Sequence, residues 1–163
     1  MVIALAGRRV DAPNAKEPRF PPEKLDVVKS RLHELFKRRQ ATVLVCSAAC
    51  GSDLLALEAA GDLGIRRTVV LPYGPDIFRR TSVVDRPGDW GEPFEQIVDQ
   101  VQKKDDLVIL GYAEDDPGAY SATNLAILDY ATKVAREATL PIAAVIVWDG
   151  KSRGKEDFTE QFR

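Results

Sequence analysis

Short apolar runs alternate with longer amphipathic stretches along the whole chain, and that alternation predicts a repeated strand-helix unit. Val2 to Ala6 is an unbroken apolar run and reads as the first strand. A polar, proline-rich loop follows, from Arg8 to Pro22. Leu25, Val28, Leu32, Leu35 and Phe36 then recur at helical spacing, which predicts a helix over Glu23 to Arg39. His33 falls on its polar face and takes no role. Thr42 to Cys46 is a short, β-branched second strand. The segment Ser47 to Asp53 turns from it into a helix reaching about Leu63, and this helix carries so little polar surface that it should be largely buried. A third strand spans Thr68 to Leu71 and stops at Pro72. Tyr73 to Gly91 reads as irregular, and a loop that long is usually functional. A helix from Glu92 to Lys104, a strand from Asp106 to Gly111, a helix from Tyr120 to Ala138 and a strand from Ile142 to Trp148 complete the pattern.

Strands that lack strict alternation and are separated by helices belong in a parallel sheet covered on both sides. The expected fold is therefore α/β and Rossmann-like, with a mostly parallel sheet and helices on both faces. Ligands of such sheets bind outside the carboxyl ends of the strands. That rule singles out Gly7, Arg8 and Arg9, then Ser47 to Asp53, Pro72 to Ser82, Gly111-Tyr112 and Asp149-Gly150.

Length and composition narrow the reading. The chain has 163 residues, enough for one domain with one core. Its net charge of -2 argues against a nucleic-acid binder that relies on bulk basic charge. No apolar run approaches the roughly 20 residues of a membrane span, so no membrane partner is expected. The amino terminus has no basic leader and reads as a strand, in keeping with a cytoplasmic protein. Cys46 and Cys50 fit neither a CxxC pair nor a zinc pattern, which leaves two reduced thiols and no metal site. No cofactor is called for. The last segment, Asp149 to Arg163, starts a helix with Phe158 and Phe162 four apart and then stops, as a domain cut from a longer polypeptide would.

Candidate chemistry gathers at the strand ends. Small residues at Ser47, Ala48, Gly51 and Ser52 let a backbone approach an anion at the start of a helix, where outward N–H groups and the helix dipole favour phosphate. Asp53 has two readings there, a ligand contact or a simple helix cap. Arg8 and Arg9 can fork onto phosphate or remain a solvated basic loop. Arg80 and Ser82 can close over an anion, or Arg79 and Arg80 can pair with Asp76 and Asp85. Tyr120, Thr123 and Asn124 can read a base or sugar, or cap their helix. With His33 as the lone histidine, Ser–His and Cys–His schemes lack a base.

In this order the pieces resemble the SLOG superfamily, named for the DNA-processing protein Smf/DprA and the cytokinin-activating LOG enzymes. The resemblance rests on Gly7-Arg8-Arg9, on Gly51-Ser52-Asp53-Leu54-Leu55 with Glu58-Ala59-Ala60, and on Val70-Leu71-Pro72-Tyr73 followed by Phe78, Ser82-Val83, Trp90 and Phe94. It continues through Tyr120, Thr123-Asn124 and Val147-Trp148-Asp149-Gly150, and so covers nearly the whole chain. It implies a Rossmann-like domain of bacterial signalling proteins. It also implies a nucleotide-derived small-molecule ligand held by the Gly7, Ser47 to Asp53 and Tyr120 to Asn124 segments. A homodimer and a fused or partner effector domain are further implications. The chain departs from the LOG-type phosphoribohydrolases, whose Pro-Gly-Gly-x-Gly-Thr-x-x-Glu motif is replaced by Gly111 to Tyr120. That loss favours a sensor over an enzyme. A nucleoside-phosphate N-glycosidase using Asp53 or Glu114 as its acid, and a protein-interaction module with a vestigial cleft, are the alternatives.

Overall fold

The computed structural model describes residues 1–152 and 157–162. Five strands form one all-parallel sheet: β1 (Val2–Gly7), β2 (Val43–Cys46), β3 (Arg66–Leu71), β4 (Leu107–Ile109) and β5 (Ile142–Val147). Their spatial order is β4-β3-β2-β1-β5. β1 lies inside the sheet, with Val2 opposite both Val43 and Ile142. Val2 to Leu5 are fully buried, which is why this strand is apolar on both sides.

Side chains alternate across a strand, so each strand feeds two cores. Ile3, Leu5, Leu44, Cys46, Val69 and Leu71 pack with the first layer of helices, α1 (Leu25–Arg38), α2 (Ser52–Asp62) and α4 (Gly91–Gln102). Val2, Ala4, Val43, Val45 and Val70 pack on the other side against Ile127, Ala131 and Ala135 of a single long helix, α5 (Ala119–Glu137). The fold is thus Rossmann-like, as the hydrophobic pattern predicts. α2 is buried as expected, its Ala56, Ala59 and Ala60 showing no solvent exposure. Leu125 on α5 and Ile142 on β5 remain exposed.

Four segments differ from the sequence reading, the first being β4, which covers only Leu107–Ile109 of the expected Asp106 to Gly111. Residues 73–91 are not irregular throughout: α3 (Pro75–Phe78) runs directly into a π-helical turn, Arg79–Val83. Phe78 and Val83 anchor this segment in the first core. Nine helical residues are too few for periodicity to reveal, and π turns cluster at functional sites. β3 begins at Arg66, earlier than expected, because its backbone already pairs with β2: the Arg66 amide donates to the Thr42 carbonyl at 3.1 Å. The terminal aromatics separate. In α6 (Phe158–Gln161) Phe158 faces Tyr120, whereas Phe162, just beyond it, is buried in the second core. No helix among the described residues is long and apolar enough to cross a membrane.

Candidate functional site

The chain steps outward from β1 to β4 with its helices on one face, then returns through α5 on the other face to place β5 beside β1. Adjacent connections that leave in opposite directions open a crevice at the carboxyl ends of the strands. A cleft of about 270 Å³ occupies this place. The end of β1 supplies its floor with Gly7, Arg8 and Arg9, and the turn after β2 adds Ser47 and Asp53. Ser82 comes from the π turn. Tyr120, Thr123 and Asn124 come from the first turns of α5. Nine of the residues expected from sequence therefore meet in one cavity.

The other six do not line it. Ala48 and Ser52 have no exposure. Gly51 is bridged to Arg9 with φ +103, and a Cβ there would meet the Val10 nitrogen at 2.6 Å. Pro72 uses its carbonyl to accept from the Tyr112 amide at 2.9 Å. Gly111 sits in an open turn with φ +80. Arg80 points to the surface and forks onto Glu114, both bonds being 2.9 Å.

The turn after Cys46 is also closed more tightly than a phosphate cradle would be. The Ala49 amide donates to Asp53 at 3.2 Å, the Cys50 amide to the Ser82 carbonyl at 3.0 Å, and the Ser52 amide to the Arg8 carbonyl at 3.0 Å. The Ser52 hydroxyl donates to that same carbonyl at 2.7 Å. Gly7 explains the closeness, since a Cβ there would lie 2.5 Å from the Ser52 Cβ. These small residues join α2 to β1 rather than leaving those three amides for a ligand.

The charged groups carry most of the site's character. Arg8 is 4% exposed and meets Asp157 at 3.0 Å and Asp149 at 3.3 Å, with a further hydrogen bond to the Lys151 carbonyl. Asp149 also pairs with Arg19 at 3.2 Å, reached through the proline-rich loop. Asp11 fixes that loop by accepting from the Arg19 and Phe20 amides. Burial alone would raise the Asp149 carboxyl, but Arg19, the Lys151 amide and Arg8 together hold it below the ordinary carboxylate range. Arg9 pairs with Asp85 and lies 3.6 Å from the Cys50 sulfur. Arg86 also lines the cleft and shares Asp85 at 3.6 Å. The buried Nε atoms of Arg8 and Arg9 have no hydrogen-bond partner among the described residues. Such orphaned donors are rare and mark places where further polar atoms are wanted.

Asp53 behaves differently. Burial pushes its carboxyl up to about 7, opposed by the Ala49 amide and by Arg9. It can therefore hold a proton near neutrality while facing the cleft, as a general acid must. Beside it runs a chain of hydroxyls. Tyr73 contacts Tyr120 at 2.8 Å, Tyr120 contacts Ser82 at 2.9 Å, and Tyr73 contacts Thr81 at 3.1 Å. Thr123 donates to the Ala119 carbonyl within its own helix, and Asn124 donates to the Phe158 carbonyl at 2.7 Å. Both are thus partly occupied in holding structure.

Sequence reasoning missed Arg86, Asp157, Phe158 and Thr159, all of which line the cleft. Arg86 continues the basic segment that starts at Arg79, so a signal existed. Asp157 followed by Thr159 and Glu160 is a legible helix cap, and its carboxylate accepts from both those amides. Nothing local says that this cap also reaches Arg8. Among the described residues no cluster of His, Cys, Asp and Glu could hold a metal ion. No model of a known protein family matches the chain, and no curated protein matches it either.

Proposed function

We propose that this chain is a sensor or regulatory domain that binds a nucleotide-derived anion in the cleft at the end of β1. The observation that carries the reading is the convergence of Arg8, Arg9 and Arg86 on one cavity at the switch point of a parallel sheet. Guanidinium groups suit phosphate because their planar donors match its oxygens. Ser82 and Tyr120 offer hydroxyls to a sugar, and the Tyr120–Phe158 pair, with ring centroids 5.3 Å apart, offers an aromatic surface to a base. The resemblance to SLOG domains points the same way. In this reading the domain works in the cytoplasm and passes its ligand-bound state to an effector domain, fused or separate, or to a second copy of itself. A thermal-shift panel of nucleoside 5′-monophosphates tests the proposal. A ligand at a hundred times its Kd should add about 2.7 kcal/mol to stability and raise Tm. An unchanged Tm across the panel would leave an interaction module as the better account.

The raised carboxyl of Asp53 favours a second reading, hydrolysis of a nucleoside phosphate. Water would add at the anomeric carbon as the bond to the base breaks, Asp53 would pass its proton to the departing nitrogen, and the proton shed by the added water would return to the Asp53 carboxylate. This reading stands second because the LOG-type glycine loop and glutamate are absent. Release of free base from nucleoside monophosphates, lost in Asp53→Asn, would move it to first place.

A further inference from the structure

We propose a second anion site at the other end of the sheet: a cavity at the amino end of β3, where Arg66, Arg67 and Lys104 take a phosphate-class oxyanion, free or carried on a small organic body. It stands apart from the cleft and does not depend on the reading given for it. The cavity measures about 220 Å³ and lies between the carboxyl ends of α2 and α4. Its polar side chains are Arg66, Arg67, Gln100 and Lys104, and among the described residues no carboxylate lines it. Arg67 is the centre. Its half-buried guanidinium donates to the Leu57 carbonyl at 3.3 Å and to Gln100 Oε1 at 2.6 Å. Gly61 makes the room, since a Cβ there would lie 2.8 Å from Arg67 Nη1. Both acceptors are neutral, and among the described residues neither Arg67 nor Lys104 forms an ion pair. Burial lowers the Arg67 guanidinium below its ordinary value, against the weaker pull of Cys46 and Asp62. A partly desolvated cation without a counter-charge gains from an incoming anion, and a planar guanidinium matches the oxygens of phosphate.

Cations at helix carboxyl ends often serve only to cap carbonyls. Here the backbone already supplies those caps. The Ile65 and Gly64 amides donate to the Ala60 and Gly61 carbonyls at the end of α2, and the Lys104 and Asp106 amides both donate to the Val101 carbonyl at the end of α4. Further donors remain unused around the cavity. Arg66 spends Nε and Nη2 on Asp106, which leaves Nη1. Gln100 gives up its carbonyl oxygen to Arg67 and keeps its amide N–H groups. The ladder adds one more. Val69 and Leu71 turn their backbone toward β4, the Val69 amide donating to the Asp106 carbonyl and the Leu71 carbonyl accepting from Leu110. Pairing of β3 with β4 starts at Val69, so the Arg67 amide, one step earlier on the same side, has no ladder partner.

The test follows the amide NMR spectrum of the whole chain as sodium phosphate replaces sodium chloride at constant ionic strength, with ribose 5-phosphate in a second arm. The Gly61, Gly64 and Lys104 amides should shift along one saturating curve. Tighter binding of ribose 5-phosphate would make the occupant an organic phosphate, and equal binding would make it free phosphate; both results support the site. Lys104→Gln, an exposed change, should weaken binding about threefold. Arg67→Gln should weaken it about tenfold. Should Arg67→Gln fail to fold, Lys104→Gln still decides. A curve that neither variant weakens overturns the site, as does the absence of a saturable shift in both arms. The Arg8 and Ser47 amides report the cleft in the same spectra, so failure of this site and failure of the nucleotide reading are seen separately.

Discussion

Arg8 and Arg80 carry the same guanidinium, and each meets an acid distant in sequence, yet the two pairs occupy opposite environments. The side chains of Arg8 and Asp157 are 4% and 1% exposed, while those of Arg80 and Glu114 are 64% and 43% exposed. Water screens the second pair and leaves it little influence on the fold, even though its fork geometry is the better one. The first pair is shielded from water on both sides, so removing one partner is costly. Two arginines that looked equivalent as anion contacts thus differ in what they hold together. One secures the site's floor and the carboxyl-terminal segment, and the other joins two surface loops.

Breaking the buried pair should produce the largest effect. Arg8→Ala removes the buried cation that Asp149 and Asp157 share and should cost about 3–5 kcal/mol, read as a fall in Tm at neutral pH. A loss no larger than that of a typical surface substitution would show that the carboxylates reach water unaided.

Asp53 sharpens the same contrast from the acidic side, since its burial outweighs the pull of Arg9. Its carboxyl is raised from 3.8 to about 7 by burial, so between those values the folded chain keeps a proton that the unfolded chain has lost. Stability from this group should fall as pH rises through that window and level off above it, a swing of at most about 4 kcal/mol. Asp53→Asn should flatten the slope, which denaturant titrations at pH 5 and pH 8 would reveal. An equal slope in parent and variant would assign the pH dependence to other groups.

The smallest effect belongs to the exposed pair. Arg80→Ala should leave Tm unchanged within measurement and should weaken binding of a nucleoside monophosphate less than Arg8→Ala does. A larger loss of affinity at Arg80 than at Arg8 would mean that the π turn moves onto the ligand, reversing the ranking of the two arginines.

Much of this architecture was legible along the chain. An apolar run at Val2 to Ala6 can only be a strand buried on both faces, and the alanine-rich Ser52–Asp62 helix can only lie against a sheet. The strand-end rule gathers Gly7, Arg8, Arg9, Ser47, Asp53 and Ser82, and the polar residues opening the following helix add Tyr120, Thr123 and Asn124. The rule failed where local chemistry was satisfied from afar. Gly51 and Ser52 looked like a phosphate loop because small residues permit close approach, but the approach is that of β1. The turn at Arg79–Val83 was hidden because a single helical turn has no period to detect.

Hydrophobic spacing by itself determined the class of fold, the layers and the end of the sheet where chemistry gathers, because burying apolar side chains is a local demand repeated at every element. The partners of Arg8, the proton on Asp53 and the parting of Phe158 from Phe162 were decided only in three dimensions. Ion pairing and desolvation depend on which distant groups share a volume, and a one-dimensional pattern does not carry that information.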